Sequence, residues 1–159
     1  MSTLSTQGGK LLLRQDKLGT EQACCCSNCA PCPDLEALCI AITLTDYDGT
    51  VYTADQDDIA WAGGIGTVYF SGFDYAVTIA CDIVALGGIS VTAGWSGLIG
   101  TCICTSGQGN DSLVCSEAED WYLGTASGTI EFDDIGLPCD GDCPANLGSF
   151  SVTFSDPPC

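Results

Sequence analysis

Histidine is absent from the chain, and only three residues, Lys10, Arg14 and Lys17, carry a positive side chain. The first absence removes the commonest general base, the usual activator of a Ser or Cys nucleophile and the commonest transition-metal ligand. A carboxylate pair could still perform glycoside chemistry, but the Asp and Glu residues fall in turn-like clusters without a pocket signature, so the chain reads as no enzyme. The second absence bears on partners. A phosphate backbone is held through Lys and Arg with release of counterions, and the sequence beyond Lys17 contains neither, which excludes nucleic acid. Long apolar runs are missing too. None approaches the roughly 18 residues of a membrane-spanning helix, so no membrane insertion is expected. Leu11, Leu12 and Leu13 fall short of the ~7–15-residue apolar centre of an export signal, so none is expected here.

What is present is a foldable composition: 46% of residues are hydrophobic and 15% charged across 159 residues, enough for one domain of ordinary size plus an arm. The charge is divided unevenly. Asp16 is the sole acidic residue among the first 17, so the other 20 of the 21 carboxylates lie on residues 18–159, where no cation answers them. The molecule is a weakly basic arm on a strongly acidic body, and such a body favours solubility while attracting divalent cations or a basic neighbour.

Thirteen cysteines are the other surplus. That density is seldom carried by a cytosolic protein without metal or oxidation. A protein made in a host cytoplasm without a signal peptide but working outside it, as virion components do, reconciles the cysteine load with the missing signal. An odd count leaves at least one sulfur free or paired with another chain, and Cys159 at the end of the sequence is the expected one.

Three regions follow from the pattern: an extended arm over 1–22, a Cys-rich loop over 23–37, and a β domain over 38–159. Ile40, Ile42 and Leu44 alternate with Ala41 and Thr43, and the Asp48-Gly49 pair marks a turn before Val51 and Tyr52 begin a return strand. Residues 66–70 form a further candidate. Tyr75, Val77, Ile79, Cys81 and Ile83 recur at strict period two. Further strands are expected over 89–95, 98–105, 121–123, 129–132 and 149–154, the last with Phe150, Val152 and Phe154 on one face. Some eight short strands with Gly-rich turns and no helix predict an all-β, two-sheet sandwich, jelly-roll or immunoglobulin-like.

Chemistry could reside in the cysteines. Cys26, Cys29 and Cys32, with two residues between each pair and Cys39 nearby, could surround zinc or an iron–sulfur cluster. Glu36 stands where a ferredoxin run would continue, and no second zinc knuckle follows at the required distance, so disulfides are preferred to metal. Cys24, Cys25, Cys102, Cys104, Cys115, Cys139, Cys143 and Cys159 are the further disulfide candidates; Cys81 is either a small buried hydrophobe or a bridge partner. Cys102 and Cys104 point to one strand face and should meet different partners. Aspartates at 46/48, 55/57/58, 133/134 and 140/142 could contribute oxygens to calcium, against the alternative of solvated turns. Tyr47, Tyr52, Tyr69, Tyr75, Trp61, Trp95, Trp121 and Tyr122 could line a sugar-binding surface, although strand aromatics more often build cores.

The opening GKLLLR at 9–14, KLGT at 17–20 and CCC at 24–26 resembles the start of uncharacterised small proteins in phage and environmental bacterial genomes, where a "KLLL" arm precedes a "CCC" cluster. The resemblance covers about the first 30 residues, carries no catalytic or ligand position, and implies a virion-associated structural role. The expected function is a capsid decoration, cement or tail-fibre subunit. Lys10, Leu11, Leu12, Leu13, Arg14 and Lys17 would dock on other structural subunits, homo- or hetero-oligomeric, by adding the arm to a neighbour's sheet edge. The alternatives are an adhesin or carbohydrate-binding module and a Cys-cluster metal-binding protein, with zinc or calcium as the ion.

Overall fold

The computed structural model describes residues 29–97, 99, 106–132, 144 and 146–159. Among these the chain is all-β, with nine strands, three single 3-10 turns and no α-helix. The strands are β1 (Cys39–Asp46), β2 (Val51–Asp55), β3 (Ala60–Ala62), β4 (Ile65–Phe70), β5 (Tyr75–Asp82), β6 (Gly88–Trp95), β7 (Gly107–Val114), β8 (Gly124–Phe132) and β9 (Asn146–Ser155). The expected arm lies wholly outside the described residues, as does the expected strand over 98–105 apart from Ile99.

All pairings are antiparallel, and hydrogen bonds connect the strands into one sheet in the order β2-β1-β9-β8-β7-β6-β5-β4-β3. The expected division into two sheets is therefore replaced by a single sheet curled into a half-barrel. Its cause is visible in the connections. β2 and β3 are the two edges of the sheet, yet the short link 56–59 joins them, so the edges must come together. Tyr52 on β2 accordingly packs against Phe70 on β4 with ring centroids 6.1 Å apart. Across the interior, Tyr75 of β5 donates its hydroxyl proton to the Leu147 carbonyl of β9 at 2.6 Å.

Alternation supplies the core. Ile40, Ile42 and Leu44 of β1, Val77 and Ile79 of β5, Ile89, Val91 and Ala93 of β6, and Phe150, Val152 and Phe154 of β9 are all buried and belong to one cluster. Each fully buried aliphatic side chain contributes roughly 1.5–3 kcal/mol, so the inner face of the curl stabilises the fold. The sequence between residues 121 and 123 forms a turn instead of the expected strand, and Trp121 is buried from that turn, edge-on to Tyr122.

Backbone pairing between β7 and β8 is confined to Gly107↔Phe132 and Gln108↔Glu131. Beyond it the Asp111 carboxylate takes over, accepting from the Ser127 N–H at 2.8 Å. Glycine allows the approach. A Cβ at Gly109 would collide with the Thr129 carbonyl oxygen and press on the Phe150 ring. Gly109→Ala should therefore destabilise the protein by about 1–3 kcal/mol through overpacking against backbone. Chemical denaturation checks this, and an unchanged midpoint would show that β7 and β8 can separate without loss.

Candidate functional site

Because every strand is antiparallel to its neighbours, one end of the half-barrel gathers the starts of β1, β4, β6 and β8 and the finishes of β5, β7 and β9. Residues 29–38 cross this end, and three disulfides fasten it. Cys29 is joined to Cys115 just beyond β7, Cys32 to Cys81 near the finish of β5, and Cys39 at the start of β1 to Cys159. The Cα–Cα separations are 5.6, 5.9 and 5.3 Å, in the usual disulfide range of roughly 4.4–6.8 Å. Between the staples, Asp34 caps a 3-10 turn (Leu35–Ala37) by accepting from the Glu36 N–H, while Leu35 and Leu38 are buried in the core cluster. The crossing segment thus closes one mouth of the curl with apolar side chains.

These bonds bear on two readings of the cysteines. Cys29, Cys32 and Cys39, grouped above with Cys26 as metal ligands, enter three separate disulfides, and a disulfide sulfur is not the thiolate that zinc or iron needs. Cys26 lies outside the described residues. Cys159 was the expected unpaired or interchain sulfur and is instead bonded within its own chain. Cys81, read as either a buried hydrophobe or a bridge partner, is bridged, and Cys115 is bridged as well. Cys24, Cys25, Cys102, Cys104, Cys139 and Cys143 lie outside the described residues, as do Lys10, Leu11, Leu12, Leu13, Arg14 and Lys17.

The aspartate turns have a local use. Asp46 accepts from the N–H groups of Asp48 and Thr50, each at 3.0 Å, and Asp48 from the Thr50 N–H and hydroxyl at 2.9 and 2.6 Å. The Thr50 bonds hold the Asp48 carboxyl below its ordinary range. Asp55 accepts from the Asp57 N–H, and Asp58 returns to the Asp55 N–H, which together cap the 3-10 turn Gln56–Asp58. Among the described residues, no three or more Cys, Asp or Glu side chains converge as a metal site. The aspartates at 133, 134, 140 and 142 lie outside the described residues.

The aromatic residues divide similarly. Tyr75, Trp95 and Trp121 are buried, Tyr52, Trp61 and Tyr122 are half-buried, and Tyr47 and Tyr69 are exposed. Tyr75 is the most constrained. It is 1% exposed, donates to the Leu147 carbonyl and accepts from the Tyr47 N–H at 3.2 Å. Burial pushes its hydroxyl up to about 12.

The feature that sequence reasoning did not find is a groove of about 360 Å³ beside the third disulfide. Cys39, Ile40, Ala41 and Cys159 form its apolar floor, and Asp55, Gln56 and Asp57 form an acidic wall. The Gln56 amide donates to the Glu36 carbonyl at 3.0 Å, but its Oε1 is buried without a hydrogen-bond partner among the described residues. The groove combines apolar surface and carboxylates, so it favours an apolar group flanked by positive charge. Its only sequence signal was the Asp55/Asp57/Asp58 run. The pairing of Cys39 with Cys159 that completes the floor cannot be read from spacing.

No family model, curated protein or solved structure matches the chain.

Two measurements check this arrangement. Peptide mapping without reductant should recover Cys39 joined to Cys159 within one chain, and a covalent dimer through Cys159 would contradict it. Tyrosine ionisation followed by absorbance should show a step near pH 12 that is lost in Tyr75→Phe. The sign follows from linkage: the hydroxyl ionises at about 10 when unfolded and about 12 when folded. Its contribution is therefore complete below pH ~10 and is lost as pH rises through ~12. Tyr75→Phe, which deletes two hydrogen bonds, should cost about 1–3 kcal/mol at neutral pH.

Proposed function

We propose that this protein is a non-enzymatic structural subunit of a virion, a capsid decoration, cement or tail-fibre component, that docks on neighbouring subunits through residues 1–22. One observation carries the reading: every cation of the chain lies at positions 10–17, ahead of an acidic body whose open end is stapled by three disulfides. A stapled body is a durable block, suited to conditions outside a reducing cytoplasm. It is also self-repelling, since like charges oppose contact between bodies. The arm is the one part of the chain able to attract another copy. The resemblance of residues 9–26 to small phage proteins agrees with that division of labour.

The experiment is removal of the arm. A chain beginning at residue 23 should keep its β-sheet circular dichroism and the three disulfides while losing assembly, measured by sedimentation. Assembly that proceeds equally well without the arm would overturn the proposal.

A further inference from the structure

We infer that the groove between residues 39–41 and 55–57 is the seat of residues 10–17 from a second copy of this chain. The inference deepens the assembly role proposed above and rests on it. The match is one of chemical order. In the arm, Lys10 and Arg14 bracket Leu11, Leu12 and Leu13, an apolar centre with a cation at each side. In the groove, Ile40, Ala41 and the Cys39–Cys159 disulfide supply an apolar floor, and Asp55 and Asp57 supply the opposite charge along one wall. Its volume of about 360 Å³ lies in the range of ~300–1,000 Å³ typical of small-ligand sites.

Two features select this occupant. Asp57 is exposed, and its carboxylate accepts no hydrogen bond from the turn that Asp55 and Asp58 cap, so it is available to an ion pair. Supply is equally restricted: residues 29–159 contain no Lys or Arg, so the body of a second copy has no cation to present. Only an arm can meet this wall with opposite charge. Residues 17 and 29 are separated by a span that reaches about 40 Å when extended, so the arm is long enough to leave its own body for a neighbour.

The test is charge exchange in the full-length, oxidised chain at low ionic strength, read by sedimentation. Asp57→Lys changes a wall residue that caps nothing, and Ala41→Arg places charge on the exposed floor position of β1; on the arm, Lys10→Glu is combined with Arg14→Glu. Each change alone should weaken self-association on the order of tenfold or more, and added salt should weaken the wild type. Mixing the arm variant with Asp57→Lys should restore association between unlike chains, because the intact arm of the Asp57→Lys chain then meets the intact wall of the arm variant. Loss of association in the arm variant with no effect of Asp57→Lys or Ala41→Arg would overturn the groove and leave the assembly role standing. Indifference to the arm substitutions would overturn both. Failure of the mixture to recover association would overturn the second-copy occupant.

Discussion

Covalent closure of one mouth of the sheet is the constraint on which the remaining structure depends. A single curled layer buries only its inner face, and its open ends would admit water to Ile40, Ile79, Ile89 and Phe154. Residues 29–38 exclude that water, but ten residues with two buried leucines make a weak lid by themselves. The staples change this because their loops are long, with separations of 86, 49 and 120 residues. In the chain-entropy account a loop of this length is worth about 4–5 kcal/mol to the folded state. Three such closures overlap in sequence, so their effects are not additive, yet any one is comparable with the net stability of about 5–15 kcal/mol typical of a domain. Seven of the eight strand pairings join consecutive strands, and β1 with β9 alone brings the two ends of the described chain together to close the sheet. Cross-links that restrict the unfolded chain assist that long-range closure most.

The same body has dispensed with ion pairing. With no Lys or Arg in residues 29–159, its carboxylates cannot be neutralised from within those residues, and the structure uses them instead as acceptors for turn N–H groups. Asp46 shows how far this goes. It is buried at 8% exposure, takes two backbone N–H groups and lies 3.3 Å from the Tyr52 hydroxyl, so a carboxylate replaces a loop of several residues at the β1–β2 turn. Local satisfaction leaves the summed negative field unopposed. Contact between two bodies then has an electrostatic cost that falls with salt, whereas contact through a basic segment has the reverse dependence.

The sequence disclosed strands wherever large side chains alternate. Residues 75–81 and 150–154 display period two, and both lie in the sheet with the expected side inward. β7 was illegible for a physical reason: its buried positions beside β8 are Gly107 and Gly109, whose lack of a side chain is what the close approach of the β8 backbone requires, so no apolar pattern exists there to be read. Trp121 misled in the opposite direction, since a buried indole with Tyr122 and Leu123 beside it resembles a strand but is a turn folded onto the core. The single curled sheet was not legible because sequence shows strand faces and not the link that draws β2 toward β3. The groove was hidden similarly: Asp55, Asp57 and Cys39 are legible individually, but their adjacency is created by Cys159 returning from the chain's end.

That return joins oxidation to recognition. Cys159 belongs to the groove floor because it is bonded to Cys39, so the floor is complete only in the oxidised chain. In a reducing cytoplasm the two thiols are separate and the residues after β9 have lost their anchor, so Cys159 no longer completes the floor that Ile40 and Ala41 of β1 begin. Arm and wall still attract one another there, but exposed charge without desolvated apolar contact contributes little, about 0–1 kcal/mol for a surface pair. Oxidation completes the apolar floor against which, in the proposed docking, Leu11, Leu12 and Leu13 would lose water. A protein with these two requirements would remain dispersed by its own negative charge while being made, and would acquire its docking surface on reaching the oxidising conditions in which a durable assembly is needed.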